Sequence, residues 1–138
     1  MQLGIEMNGL KEYQQRIKAA PDKANYASQN AMKVFTVKVK TDIQKSLNER
    51  EKIGNNYIPS EPGKPPHKRT GHLYQSVYNQ LNNIGRLIIQ GIIGDNAEYA
   101  AFLEYGTSKM PPRPYFRPAI ENNKSLFEKS FKAIFDKL

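Results

Sequence analysis

Apolar residues recur along this chain with different periods, and each period predicts an element. Leu3, Ile5 and Met7 alternate with polar or small neighbours, which is the two-residue period of a short half-buried strand. Asn8 then stands as an N-cap, and Leu10, Tyr13, Ile17 and Ala20 follow at helical spacing up to Pro21. From Asp22 to Arg50 no glycine or proline intervenes. Over that stretch Ala24, Ala27, Ala31, Phe35, Val39, Ile43 and Leu47 form a row along one side of a long predicted helix. Most steps in the row are four residues, so the stripe drifts by about 40° per step around a helix of 3.6 residues per turn. Its first half is rich in alanine, which suits the close approach of a sheet or another helix.

The pattern breaks over residues 51–69, where Gly54, Asn55, Asn56, Pro59, Pro62, Gly63, Pro65 and Pro66 leave few large apolar groups. Neither a helix nor a central strand is expected there. A loop of this length is uncommon inside a compact domain, so it is expected to be an extended, flexible docking element. After Thr70-Gly71 a short helical or turn segment reaches Ser76. Two strands follow, one carrying Val77, Asn79 and Leu81, the other the β-branched run Leu87 to Ile93, with Asn82-Asn83-Ile84-Gly85 as the hairpin loop between them. Ala97 to Tyr105 reads as a short helix closed by Gly106 at C′. Met110 to Pro114 is an extended connector, and Ile120, Phe127, Phe131, Ile134 and Leu138 lie within about 40° of one line on a final helix. Lys129, Lys132 and Asp136 point away from that line. The sum is an α+β fold: a small antiparallel sheet packed against one long helix and a C-terminal helix, with a long Pro/Gly-rich loop, in a single domain over residues 1–138.

Charge changes this picture little. The formal net charge is +8, but Lys+Arg against Asp+Glu is 9 to 5 in residues 1–50, 4 to 2 in 51–72, 2 to 3 in 73–110 and 6 to 3 in 111–138. An excess spread in this way reads as a solvated basic surface, and specific nucleic-acid binding is not expected from it. The eight tyrosines are the residues that would stack bases. Tyr13, Tyr99 and Tyr105 fall at core-like helical spacing, however, and Tyr74 and Tyr78 flank a strand start, so they are expected to pack. The absence of cysteine excludes disulfides and thiol catalysis. No signal peptide is expected from Gln2 to Glu6, and Leu87-Ile88-Ile89 is far shorter than a membrane span. The protein is therefore expected to be made in the cytoplasm and to have no membrane partner.

Candidate chemistry is sparse. His67 and His72 have no cysteine or carboxylate at ligand spacing, so no metal is predicted. Ser60, Ser76 and Ser108 lack a nucleophile-elbow context, and Glu98 with Glu104 does not resemble a catalytic pair. Gly85, Gly91 and Gly94 read as hairpin glycines at strand ends and lack a phosphate-binding fingerprint. Neither an enzyme nor a cofactor is expected. Pro62 and Pro65 make a PxxP pattern that reads first as a stiff loop. Arg113 and Arg117 flank Pro114-Tyr115-Phe116. These residues are either a helix start stapled to the core by Tyr115 or Phe116, or an anchor patch of the aromatic and arginine type enriched at protein interfaces.

Four stretches carry a family resemblance. Tyr99-Ala100-Ala101-Phe102-Leu103-Glu104-Tyr105-Gly106-Thr107, followed by Pro112-Arg113-Pro114-Tyr115-Phe116-Arg117-Pro118-Ala119, resembles the signature of the head-tail joining, or tail-completion, proteins of long-tailed bacteriophages and prophages. Upstream, residues 60–66 and Thr70-Gly71-His72-Leu73 with Ser76-Val77 resemble that family's loop and the helix start after it. The resemblance covers about residues 57–120, in matching order and spacing. It implies a virion protein of the phage neck, made in the host bacterial cytoplasm and free to be monomeric before assembly. At the head-proximal end of the tail it would form a sixfold ring and meet other neck and tail proteins, namely a head-completion or stopper protein, a tail terminator or the tail tube. The residues expected to meet partners are Pro62, Gly63, Lys64, Pro65, Pro66, Lys68 and Arg69 of the loop, and Arg113, Tyr115, Phe116 and Arg117 of the connector. The alternatives are a tail terminator and a small basic nucleic-acid-binding protein.

Overall fold

A computed structural model describes residues 1–5, 14–85 and 88–137. Along the chain they form β1 (Gln2–Ile5), α1 (Gln14–Ala19), α2 (Pro21–Ser46), β2 (Lys52–Ile53), β3 (Asn56–Tyr57), α3 (His72–Ser76), β4 (Val77–Gly85), β5 (Ile88–Asp95), α4 (Ala100–Tyr105) and α5 (Arg117–Phe135). Asn8, Tyr13 and Leu138 lie outside the described residues. The fold is α+β. One antiparallel sheet has the order β1-β5-β4, and β2 and β3 make a separate two-stranded hairpin.

The long helix begins at Pro21, a residue suited to a first turn because its missing N–H has no intrahelical partner to lose. Ala24, Ala27, Ala31, Phe35, Val39, Ile43 and Leu47, the row expected from the sequence, are all buried. Met32 and Thr36 extend the stripe toward the sheet. There a Cβ added to Gly91 would stand 2.6 Å from Met32 Sδ and 2.8 Å from Thr36 Cγ2, so α2 lies directly on β5. Gly91 is thus not a hairpin glycine at a strand end: it lies inside β5, where a helix presses on it. Gly94, the penultimate residue of β5, stands where the Tyr78 ring occupies the space a side chain would need.

On its other flank α2 carries α5, with the Phe35 and Phe127 rings 4.6 Å apart and Phe131 stacked on Phe135 at 4.2 Å. Rings of this size each contribute roughly 1.5–3 kcal/mol when buried. The buried line of α5 is Asn123, Phe127, Phe131 and Phe135, with Ile120 and Ile134 half-buried, so the helix is turned slightly from the expected line. Asn123 is tolerated inside because its amide donates to Asp42 Oδ2 at 2.8 Å and to Ala119 O at 2.7 Å. Burial works to raise the Asp42 carboxyl, but hydrogen bonds from Lys38 and Asn123 outweigh it and hold the group below the usual carboxylate range.

A further expectation is corrected. Asn82 to Gly85 were expected as hairpin loop, yet β4 runs through them, pairing Asn82 with Gln90, Asn83 with Ile89 and, after a bulge, Gly85 with Ile88. The β-branched partners Ile88 and Ile89 favour the ladder over the turn preference of asparagine, and Gln29 of α2 donates to Asn83 Oδ1 at 3.4 Å. Within residues 51–69, where no central strand was expected, β2 and β3 form a minimal hairpin around Gly54, whose φ is +62°.

Candidate functional site

The site is built where β5 ends. Asp95 is 1% exposed, and its two oxygens are both occupied: Oδ1 accepts the Ala97 N–H at 2.9 Å and Oδ2 accepts the Tyr115 hydroxyl at 2.9 Å. The first bond ends the strand and turns the chain toward α4; the second reaches across 20 residues. Burial pushes the Asp95 carboxyl above its ordinary range, with the hydrogen bonds from Ala97 and Tyr115 opposing that shift. Burial first, and the Asp95 charge second, hold the Tyr115 hydroxyl far above its usual value, so it remains a donor.

α4 has two faces. Ala100 and Glu104 are buried and Leu103 packs on the core, whereas Tyr99, Phe102 and Tyr105 are 42%, 57% and 56% exposed. Gly106, at φ +75°, ends the helix as expected, its N–H donating to Phe102 O at 2.8 Å. A Cβ there would stand 2.8 Å from Pro112 N, so no side chain fits between the turn and the returning chain. Thr107 and Met110 exchange backbone bonds, and Arg113 N donates to Leu103 O at 2.6 Å, which brings the connector back along α4.

Glu104 then fixes the connector. Its Oε2 accepts the N–H groups of Tyr115 and Phe116 at 2.8 and 3.0 Å, and its Oε1 accepts that of Arg117 at 2.9 Å. These are the unpaired donors at the start of α5, whose own N-cap residue, Phe116, makes no side-chain capping bond. A carboxylate is well suited to this place, because it meets both the orphan N–H groups and the positive end of the helix dipole.

The long loop is tied to the same connector. Ser60 is buried and its carbonyl accepts from Arg113 Nε at 3.1 Å; Gly63 N donates to Pro112 O at 2.9 Å. Further along, Lys68 N donates to Glu49 O at 2.6 Å, the Tyr57 hydroxyl to His67 O at 3.1 Å and His67 Nδ1 to Ile58 O at 2.9 Å.

Of the residues expected to meet partners, Pro62, Gly63 and Lys64 are exposed, with Lys64 in a surface ion pair with Glu61 at 2.9 Å. Pro65 is half-buried and Pro66 buried. Lys68 donates to Asn48 Oδ1 at 2.9 Å and sits 5.0 Å over the Tyr74 ring, and Arg69 sits 5.8 Å over Tyr57. Arg113 is half-buried and Arg117 exposed. Tyr115 and Phe116 are corrected: at 1% and 0% exposure they belong to the core, edge to face at 5.0 Å, and offer no surface to a partner. Proline at 114 and 118 and the pull of Glu104 on three successive amides direct both rings inward.

Sequence reasoning missed Asp95 and Glu104 as positioning groups, and it expected Tyr99 and Tyr105 to pack with their hydroxyls at the surface, whereas both side chains are exposed. A signal was present for the last error. Tyr99, Phe102 and Tyr105 are spaced by three and share one face of a helix, while the residues small enough to meet the core, such as Ala100, lie on the other. Between the loop, α3 and α4 lies a cavity of about 450 Å³ lined in part by Leu47, Tyr57, Lys68, Arg69, Tyr74 and Tyr99, with no carboxylate in its wall. Among the described residues no group of His, Cys, Asp or Glu is placed to hold a metal ion, and no helix is long and apolar enough to cross a membrane. Compared with protein-family models, with curated proteins and with solved structures, the chain matches none.

Proposed function

We propose that this chain is a structural protein of a phage virion, assembling as a ring at the head-proximal end of the tail and joining tail to head. The observation that carries the reading is spatial. Three of the segments that resemble the tail-completion family, residues 60–66, 99–107 and 112–119, interlock here through Glu104, Arg113 and Gly63, and Asp95 ties the last of them to the end of β5. The bonds that join them are internal, so they account for the signature as a device that fixes a shape. The two buried carboxylates among the described residues, Asp95 and Glu104, are spent on backbone amides and on Tyr115, an arrangement that supports positioning and not turnover.

A protein of this kind meets its partners with what the lock leaves outside. Here that is the tip of the β2-β3 hairpin, with Ile53 at 72% exposure, the Pro62-Gly63-Lys64 turn, and the aromatic face of α4. Aromatic side chains at protein surfaces are the ones that most often anchor an interface. Such particles, labelled with antibody against this chain and imaged by electron microscopy, should carry label at the junction of head and tail, and cells lacking the chain should accumulate separate heads and tails. Label confined to the tail tip, or intact particles without the chain, would overturn the proposal. Retention of nucleic acid by the purified chain that is lost steeply with salt would favour the basic nucleic-acid-binding reading instead.

A further inference from the structure

Among the described residues the sheet ends in two edge strands, β1 and β4. In the order β1-β5-β4 the nine-residue strand β4 is an edge, flanked by β5 on one side and covered by α2 on one face only. Edge strands of this length usually carry lysine, proline or an inward charge that blocks pairing with another chain. β4 has none of these. From Leu73 to Gly85 the chain contains no Lys, Arg, Asp or Glu, although a quarter of all its residues are charged. Its only irregularity is the bulge near the hairpin end, where Ile84 and Ile88 are 61% and 60% exposed. The opposite edge, β1, is likewise free of charge in its four residues Gln2 to Ile5.

We infer that the β4 edge pairs with the β1 edge of a second copy of this chain, so that the sheet continues from one protomer to the next. Two arguments select a second copy. Copies that each carry +8 repel wherever their lysines meet, as on the outer face of α2 with Lys23, Lys33 and Lys38, and they approach most readily through the stretch that has no charge. An acidic partner would choose the basic surfaces instead. The second argument is geometric. β1 and β4 are both antiparallel to β5 and therefore run in the same direction. Antiparallel pairing of β4 with β4 would give a closed twofold dimer. Pairing unlike edges in parallel relates copies head to tail, and a head-to-tail contact closes a ring when its rotation divides a full turn. This inference rests on the ring reading given above, and it names the contact that makes the ring.

The test uses the absence of cysteine from the chain. Gln80 and Gln2 are both exposed and, by their register through Gly94, lie on the same face of the sheet. Gln80→Cys and Gln2→Cys proteins, mixed at millimolar concentration and oxidised, should give mixed disulfide dimers in severalfold excess over either homodimer, because a disulfide forms only where Cα atoms come within about 7 Å. Adding Asn82→Lys to the Gln80→Cys protein should reduce the product severalfold while leaving its thermal midpoint unchanged. The inference is overturned by the absence of mixed dimers, by dominance of the Gln80→Cys homodimer, or by equal yield from a control pair of Gln2→Cys with Lys33→Cys. Antibody label at the neck without mixed dimers would remove the edge pairing alone. Mixed dimers without label at the neck would remove the virion role and keep the pairing.

Discussion

The end of β5 and the edge strand β4 use polarity in opposite ways. Where β5 ends, two buried carboxylates, Asp95 and Glu104, gather five donors and hold segments separated by up to 20 residues. Along β4 there is no charge at all, and the backbone of a nine-residue strand is left at an edge. Charge placed inside fixes one conformation, because each acceptor is expensive to leave unmatched. Its absence outside leaves an edge open to a neighbour. The contrast suits a protein whose shape must be set before it meets copies of itself.

The largest expected effect tests the locked end. Glu104→Ala removes the acceptor of three amides and leaves them buried beside a void, which should destabilise the fold by about 3–5 kcal/mol, read as a lower urea midpoint. Glu104→Gln, which keeps one acceptor oxygen, should lose distinctly less. A loss under about 1 kcal/mol in the alanine variant would mean that the connector is held by packing and not by the carboxylate.

The next effect contrasts the middle of β5 with the far end of β4. Gly91→Ala forces a methyl group against Met32 and Thr36 and should cost about 1–3 kcal/mol. Gly85→Ala, at the far end of β4, meets nothing closer than Ile88 Cδ1 at 3.5 Å and should be nearly neutral. Equal thermal midpoints for the two variants would contradict the close seating of α2 on β5.

The smallest effect concerns Asp95. Tyr115→Phe removes one buried bond and should cost about 1 kcal/mol. The pH dependence has a definite sign. Because the folded Asp95 carboxyl lies above its unfolded value of 3.8, the folded state binds more protons in the window just above that value, and this group's contribution to stability falls as pH rises through it. Asp42, held below 3.8, acts oppositely: its contribution is present above 3.8 and is lost as pH falls through its lower folded value. Denaturant titrations of Asp95→Asn should therefore lack the decline above pH 3.8 and keep the loss below it. An unchanged profile would mean that Asp95 ionises as freely as in the unfolded chain.

Much of the scaffold was legible because it rests on periodicity. The seven-residue row of α2 and the turn at Gly106 follow from spacing and from the conformational freedom of one glycine. The site was legible only in part, for a physical reason. Glu104 acts across 11 to 13 residues on amides that sequence does not display as donors, and a carboxylate that caps a distant helix looks in one dimension like any other helical glutamate. Tyr115 and Phe116 were ambiguous because a large aromatic ring suits a core and an interface equally well. The β4 extension was missed because asparagine favours turns locally, while the ladder is decided by its β5 partners.

The claim on which the rest depends is that the loop and the connector move as one body with Glu104 at its centre. Amide hydrogen exchange, compared between the native chain and Glu104→Gln, tests it residue by residue. Slow exchange is expected at Tyr115, Phe116 and Arg117 in the native chain, with faster exchange in the variant both at these amides and at Gly63, whose N–H is bonded to Pro112. Rapid exchange at the three connector amides in the native chain, or a Gly63 amide that does not respond to the substitution, would contradict it.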